Sequence, residues 1–150
     1  MRHQPGHGRD TPGFPRRFTM LEQIRFHHCD PAGIAFFARL DELLNAAFED
    51  WCSAVDLPFS VLIAEQRSGF PLVHASVDYT GILRMGDEIT VGHHVRESGR
   101  SSITFDVRID AGDRACLSGT HVRVMTSLDT HRAVPLPARL QALLQETTSE

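Results

Sequence analysis

Between Phe36 and Trp51 apolar residues return every three or four positions: Phe36, Phe37, Leu40, Leu43, Leu44, Ala47, Phe48 and Trp51. Arg39, Asp41, Glu42, Glu49 and Asp50 fill the other side. That period predicts one amphipathic helix of about four turns. From Pro71 the period drops to two. Val73, Ala75, Val77 and Tyr79 alternate with polar residues, and after a Met85-Gly86-Asp87 turn Ile89, Val91 and Val95 line one face. Beyond Gly99, Ile103, Phe105, Val107 and Ile109 alternate strictly with Thr104, Asp106, Arg108 and Asp110. An Ala111-Gly112-Asp113 turn leads into a last long strand, 114–127. Its parity switches near Gly119, from Leu117 to Val122 and Val124, which predicts a bulge there. A first strand is expected over 18–26 and a short helix over 60–66, closed by Gly69. Pro135 and Pro137 introduce a C-terminal helix bearing Leu140, Leu143 and Leu144.

The order is strand, long helix, short helix, four strands, terminal helix. A single long helix with one broad apolar face needs a sheet curled around it, so the class is α+β. Residues 1–17, MRHQPGHGRDTPGFPRR, show no hydrophobic period and read as a disordered tail before a domain over 18–150. At 150 residues the chain has room for one domain with its own core. A net charge of −4 gives no basic footprint for nucleic acid. A few local arginines would still suffice for a phosphate. No apolar run approaches the ~18 residues a membrane span requires, and residues 1–20 lack a signal peptide's apolar core. Cys29, Cys52 and Cys116 are too few and too scattered for a disulfide framework or a zinc motif, which points to the cytoplasm.

The chemistry concentrates in residues 28–37, His-Cys-Asp-Pro-Ala-Gly-Ile-Ala-Phe-Phe. Asp30 stands just ahead of the long helix. A carboxylate there can attack a carbonyl carbon, or activate water to do so, while open N–H groups at the helix start hold the oxyanion. An Asp-Pro step can also simply open a helix, Asp as N-cap and Pro in the first turn. Gly33 so soon afterwards suits a tight turn against a ligand better than a helix that needs only a cap. His27, His28 and Cys29 suggest a metal, but neighbouring histidines on a strand point to opposite faces and no second ligand pair has the right spacing. His93 and His94 read as one inward and one solvated residue. Cys29 lacks a positioned base, and no Gly-x-Ser-x-Gly elbow is present.

The run Cys29-Asp30-Pro31-Ala32-Gly33-Ile34, followed by Phe36 and Phe37, resembles the 4-hydroxybenzoyl-CoA thioesterase family of hotdog-fold enzymes. The resemblance covers roughly 18–146. It implies a curled antiparallel sheet of about five strands around one long helix. It implies an acyl-CoA thioesterase with Asp30 as nucleophile or general base and the Phe37 backbone N–H as oxyanion donor. Gly33 and Phe36 would then lie against the substrate, and the two phenylalanines favour an aromatic, 4-hydroxybenzoyl-like acyl group. The Gly69-Phe70-Pro71-Leu72-Val73 run matches the family's entry into its second strand, which brings His74 near a neighbouring subunit's site. Related enzymes carry a basic cluster at the turn between the third and fourth strands. Here that turn is thinner, leaving Arg96, Arg100 and Ser101 as candidate CoA contacts. No cofactor or metal is implied, CoA being part of the substrate. A homodimer or homotetramer with sites at the subunit interface is expected. The competing readings are a thioesterase for short aliphatic or carrier-protein-bound acyl groups and a hotdog ligand-binding protein without turnover.

Overall fold

The computed structural model describes residues 16–146. The tail assigned to 1–17 lies outside the described residues except Arg16 and Arg17, and Arg17 already opens the first strand.

Strand β1 (Arg17–Gln23) leads through a 3-10 turn (Phe26–His28) to helix α1 (Phe37–Ala54) and short helix α2 (Phe59–Ala64). After β2 (Ser68–Gly69) come β3 (Leu72–Tyr79), β4 (Glu88–Ser98), β5 (Ser102–Ala111) and β6 (Arg114–Val124). The chain closes with β7 (Thr126–Ser127) and α3 (Ala138–Glu146). Five strands form one antiparallel sheet in the order β1-β4-β5-β6-β3, and β2 pairs with β7 in a small second sheet. This is the α+β hotdog arrangement read from the sequence.

The helix follows from its stripe. Leu40, Leu43, Leu44, Ala47, Phe48, Trp51 and Cys52 are buried along α1, and the sheet meets them with Phe105, whose ring lies edge-on to Phe48 at 5.7 Å and to Trp51 at 5.0 Å. Aromatic contacts of this geometry add to a burial term that already dominates core energetics. Asp56, at φ 62°, ends the helix in the left-handed conformation, and the Leu57 N–H returns 2.8 Å to the Cys52 carbonyl.

Three expectations need correction. The first strand stops at Gln23, not Phe26, because Ile24 leaves the sheet to exchange hydrogen bonds with the Gly86-Asp87 turn, 2.8 Å each way. His27 and His28 therefore sit on a 3-10 turn with rings 4.0 Å apart, not on opposite faces of a strand. Nor does β6 bulge at Gly119, where pairing with both neighbours is continuous. The irregularities fall near Cys116, where the β5 register slips, and at Val73 on β3. Gly119 serves close approach instead: a Cβ there would stand 2.2 Å from the Ser76 carbonyl oxygen. Beyond Gly119 the inward residues of β6 are His121 and Arg123, both buried, while Val122 and Val124 turn outward.

Candidate active site

Asp30 does not cap α1. The helix begins seven residues later, with Phe36 at the N-cap and no side chain capping it. Residues 28–36 form a small hairpin, with Cys29 paired to Ala35 and the Asp30 N–H donating 3.0 Å to the Ile34 carbonyl. The Gly33 N–H closes the tip on the Asp30 carbonyl at 2.9 Å, and Gly33 takes φ 81°. Only glycine enters that region freely, which is the local reason for the Asp-Pro-Ala-Gly order. The Asp30 Oδ1 accepts the Ala32 N–H at 2.9 Å. One carboxylate oxygen is thus tethered by its own turn, and the side chain is half-buried.

The hairpin is fastened at both arms. The Phe36 N–H donates 2.9 Å to the His28 carbonyl and the Ala35 N–H 2.8 Å to the Leu83 carbonyl. Arg84 bridges Ile34 from the same loop. At the foot of the hairpin α1 starts, and the Phe37 and Ala38 N–H groups make no backbone hydrogen bond to a described residue. They are the open donors that every helix start leaves. The surroundings are apolar and exposed: Phe36 at 42% and Phe37 at 56% lie in ring contact, 4.8 Å between centroids. Tyr79, at the end of β3, stands edge-on to Phe37 at 6.4 Å. Partial desolvation, then the charge of Asp41 one helical turn beyond Phe37, push the Tyr79 hydroxyl above its ordinary value. Desolvation likewise raises the Asp41 carboxyl. A carboxylate, free amides and an apolar aromatic wall at one mouth are the equipment of acyl transfer.

Residues 24–144 match the thioesterase-like superfamily. The chain belongs to that superfamily. Among curated relatives, the 1,4-dihydroxy-2-naphthoyl-CoA hydrolase of Synechococcus elongatus is 28% identical over 125 residues, spanning 83% of this chain and 92% of that protein. The 4-hydroxybenzoyl-CoA thioesterase of Pseudomonas sp. is 26% identical over 132 residues, spanning 82% and 94%. The solved structure of 4-hydroxybenzoyl-CoA thioesterase from Pseudomonas sp. strain CBS-3 superposes with a TM-score of 0.78 at 24% identity, covering 85% of this chain and 99% of that one. This last likeness establishes the hotdog fold.

Within one chain of this thioesterase-family protein, the structure gathers Asp30, Gly33, Phe36 and Phe37 but not the other candidates. His74 pairs with Val122 on the row facing away from α1. Arg96 lies on the sheet's outer face, where its Nη2 is engaged by the Asp106 carboxylate and donates 2.9 Å to the Thr120 hydroxyl. Arg100 and Ser101 form the β4–β5 turn, held by backbone bonds of 2.8 Å to Leu136 and Met125. Strand β4 starts beside the Asp30 hairpin and runs eleven residues to that turn, so the two lie about 30 Å apart along the sheet.

Sequence reasoning missed Tyr79, Asp41 and the anchoring role of His28. It also missed a polar group beneath α1. Arg123 there donates 3.0 Å to the Phe70 carbonyl and 3.3 Å to Asn45 Oδ1, with its guanidinium 3.9 Å above the Phe48 ring. A helix-face triad was available as a signal, since Phe37, Asp41 and Asn45 recur every fourth residue. Among the described residues no three His, Cys, Asp or Glu side chains converge as for a metal, and no helix is long and apolar enough to cross a membrane.

Proposed function

We propose that this thioester hydrolase cleaves an acyl-CoA with an aromatic acyl group, releasing the free acid and CoA, and that Asp30 supplies the carboxylate. The observation that carries the reading is the Asp30 hairpin: one oxygen tethered, the other open, beside a helix start whose Phe37 N–H is free to polarise a carbonyl. A thioester suits this equipment, because its carbonyl is electrophilic and a thiolate leaves without a strong acid to protonate it. Asp30 either adds to that carbon, giving a mixed anhydride that water then opens, or takes a proton from the attacking water. The aromatic acyl group is supported by the exposed Phe36, Phe37 and Tyr79 at the mouth and by relatives named for naphthoyl- and hydroxybenzoyl-CoA. Three unpaired cysteines fit a reducing cytoplasm.

The working unit in this reading is an oligomer. The β3 edge exposes Leu72 at 41%, Val73 at 57% and Tyr79 at 47%, and an open strand edge of this kind invites pairing. His74, Arg96, Arg100 and Ser101 reach an Asp30 hairpin only if it belongs to another copy. Light scattering at micromolar concentration should give at least a dimer, and an active monomer would overturn this assembly.

Asp30→Asn tests the chemistry. The amide oxygen can still accept the Ala32 N–H, so the turn should fold at a cost of about 1 kcal/mol or less. Turnover of a panel of aromatic and short aliphatic acyl-CoA thioesters, read by thiol release, should fall by a factor on the order of 10² to 10⁴, with KM far less affected. A folded variant keeping more than about a tenth of parental kcat would remove Asp30 from the chemistry. Binding of aromatic acyl-CoA without turnover by the parent would identify a ligand-binding protein instead.

A further inference from the structure

His28 is 6% exposed, two residues before Asp30. Its Nδ1 accepts the Arg25 N–H at 2.8 Å, its own N–H donates to the Arg25 carbonyl at 3.0 Å, and its carbonyl accepts the Phe36 N–H at 2.9 Å. One residue therefore ties together the exit from β1, the hairpin that carries Asp30, and the last residue before α1. Because Nδ1 accepts, the neutral ring carries its proton on Nε2.

We propose that His28 is the positioning residue of this site, its ring and its backbone together fixing where the Asp30 carboxylate stands against the Phe37 amide. The inference rests on the thioesterase reading of Asp30 given above. Effective catalysis depends on such placement, since a misplacement of about 1 Å can cost on the order of a hundredfold in rate. The clamp works only with an unprotonated Nδ1. A proton there would face the Arg25 N–H and break the bond. Desolvation by burial, then the neighbouring His27 and Arg25, hold the ring below its ordinary value of 6.5, whereas Glu22 on β1 and Glu42 on α1 pull the other way. The ring is thus neutral at neutral pH, and acidification should loosen the hairpin.

The test compares His28→Leu, His28→Asn and Asp30→Asn in the full chain, with an aromatic acyl-CoA as substrate and melting temperature followed in parallel. The Asn Oδ1 stands where Nδ1 stands and can accept the Arg25 N–H, whereas Leu fills the space without an acceptor. His28→Leu should lower kcat about tenfold or more with KM within about threefold, and His28→Asn should keep kcat within about threefold of the parent. Lacking a titrating ring, His28→Asn should also show a shallower acid limb of kcat than the parent. Folded His28→Leu with parental kcat overturns the proposal. So does equal loss in both variants, which would assign the site to ring volume. Should His28→Leu fail to fold, an acid limb in His28→Asn identical to the parent's overturns it. Retained activity in Asp30→Asn would sink the underlying reading, whereas an inactive Asp30→Asn beside a fully active His28→Leu would sink this inference alone.

Discussion

Strands β5 and β6 lie side by side in one sheet under one helix, yet along much of their length they fill the inward positions by opposite chemistry. β5 turns Ile103, Phe105, Val107 and Ile109 toward α1, all fully buried. The matching row of β6 offers Leu117 opposite Ile109, then Gly119, His121 and Arg123. His121 pairs with Phe105, so both face the helix, but the His121 Nδ1 and both ring nitrogens of nearby His93 have no hydrogen-bond partner. Buried polar atoms without partners carry a desolvation cost that buried methyl groups do not. The contrast therefore has an apolar half, the inward row of β5, and a polar half, the cluster of His93 on β4 with His121 and Arg123 on β6. Tyr79 and the open edge belong to β3, and the Asp30 hairpin is fastened to the loop between β3 and β4. The apolar half supplies stability, and the β3 edge is where the sheet is exposed.

The largest effect expected from this division is in the apolar half. Phe105 contacts Phe48, Trp51 and His93 through ring packing at 5.0–5.7 Å. Phe105→Ala should cost about 3–5 kcal/mol, because the surrounding helix and strands cannot collapse into the space left. Chemical denaturation with an unchanged slope measures it. A loss below about 1.5 kcal/mol would mean that the core is not centred on β5.

The same division explains which parts of the molecule were legible in the sequence. In α1 and β5 apolar residues hold the inward positions without exception, so period alone located both elements and both buried faces. Beyond Gly119 the inward positions of β6 are His121 and Arg123 and the outward ones are Val122 and Val124, so hydrophobic alternation pointed there to the wrong face and to a bulge at Gly119. At the site, the Asp-Pro-Ala-Gly turn was readable because turn chemistry is local. Tyr79 was not, since its contact with Phe37 spans the whole of α1 and α2 and leaves no periodic trace. The ion pair of Arg96 with Asp106 and its bond to Thr120 on the outer face were not legible for a related reason: they depend on how three strands lie side by side.

A middle-sized effect concerns acid. Burial, reinforced by neighbouring His121 and Arg123, depresses His93 to about 3, and burial with Arg123 depresses His121 to about 4, both from 6.5. Each binds its proton more readily in the unfolded chain than in the folded one, so stability rises with pH between the two values. The contribution is complete above 6.5 and is lost as pH falls, toward about 4 for His121 and about 3 for His93. Melting temperature should hold steady from about pH 8 to 7 and decline from about pH 6.5 downward, before most carboxylates titrate. His93→Leu should flatten that decline. A melting temperature unchanged between pH 7 and 5 would show that these rings are not buried in the neutral state.

The smallest effect is the most specific test of how β6 sits. Val122 shares its row with His74 on β3 and Thr104 on β5, both facing away from α1. Threonine keeps the β-branched shape that strands favour and adds one hydroxyl to a row that already carries Thr104. Val122→Thr should therefore shift stability by less than about 0.5 kcal/mol. With the face suggested by hydrophobic alternation, the hydroxyl would instead enter the core beneath α1 without a partner and cost about 1–3 kcal/mol. A denaturation midpoint matching the parent's supports His121 and Arg123 as the inward pair. A loss in the larger range would return Val122 to the core, remove the polar half of the sheet, and with it the contrast to β5.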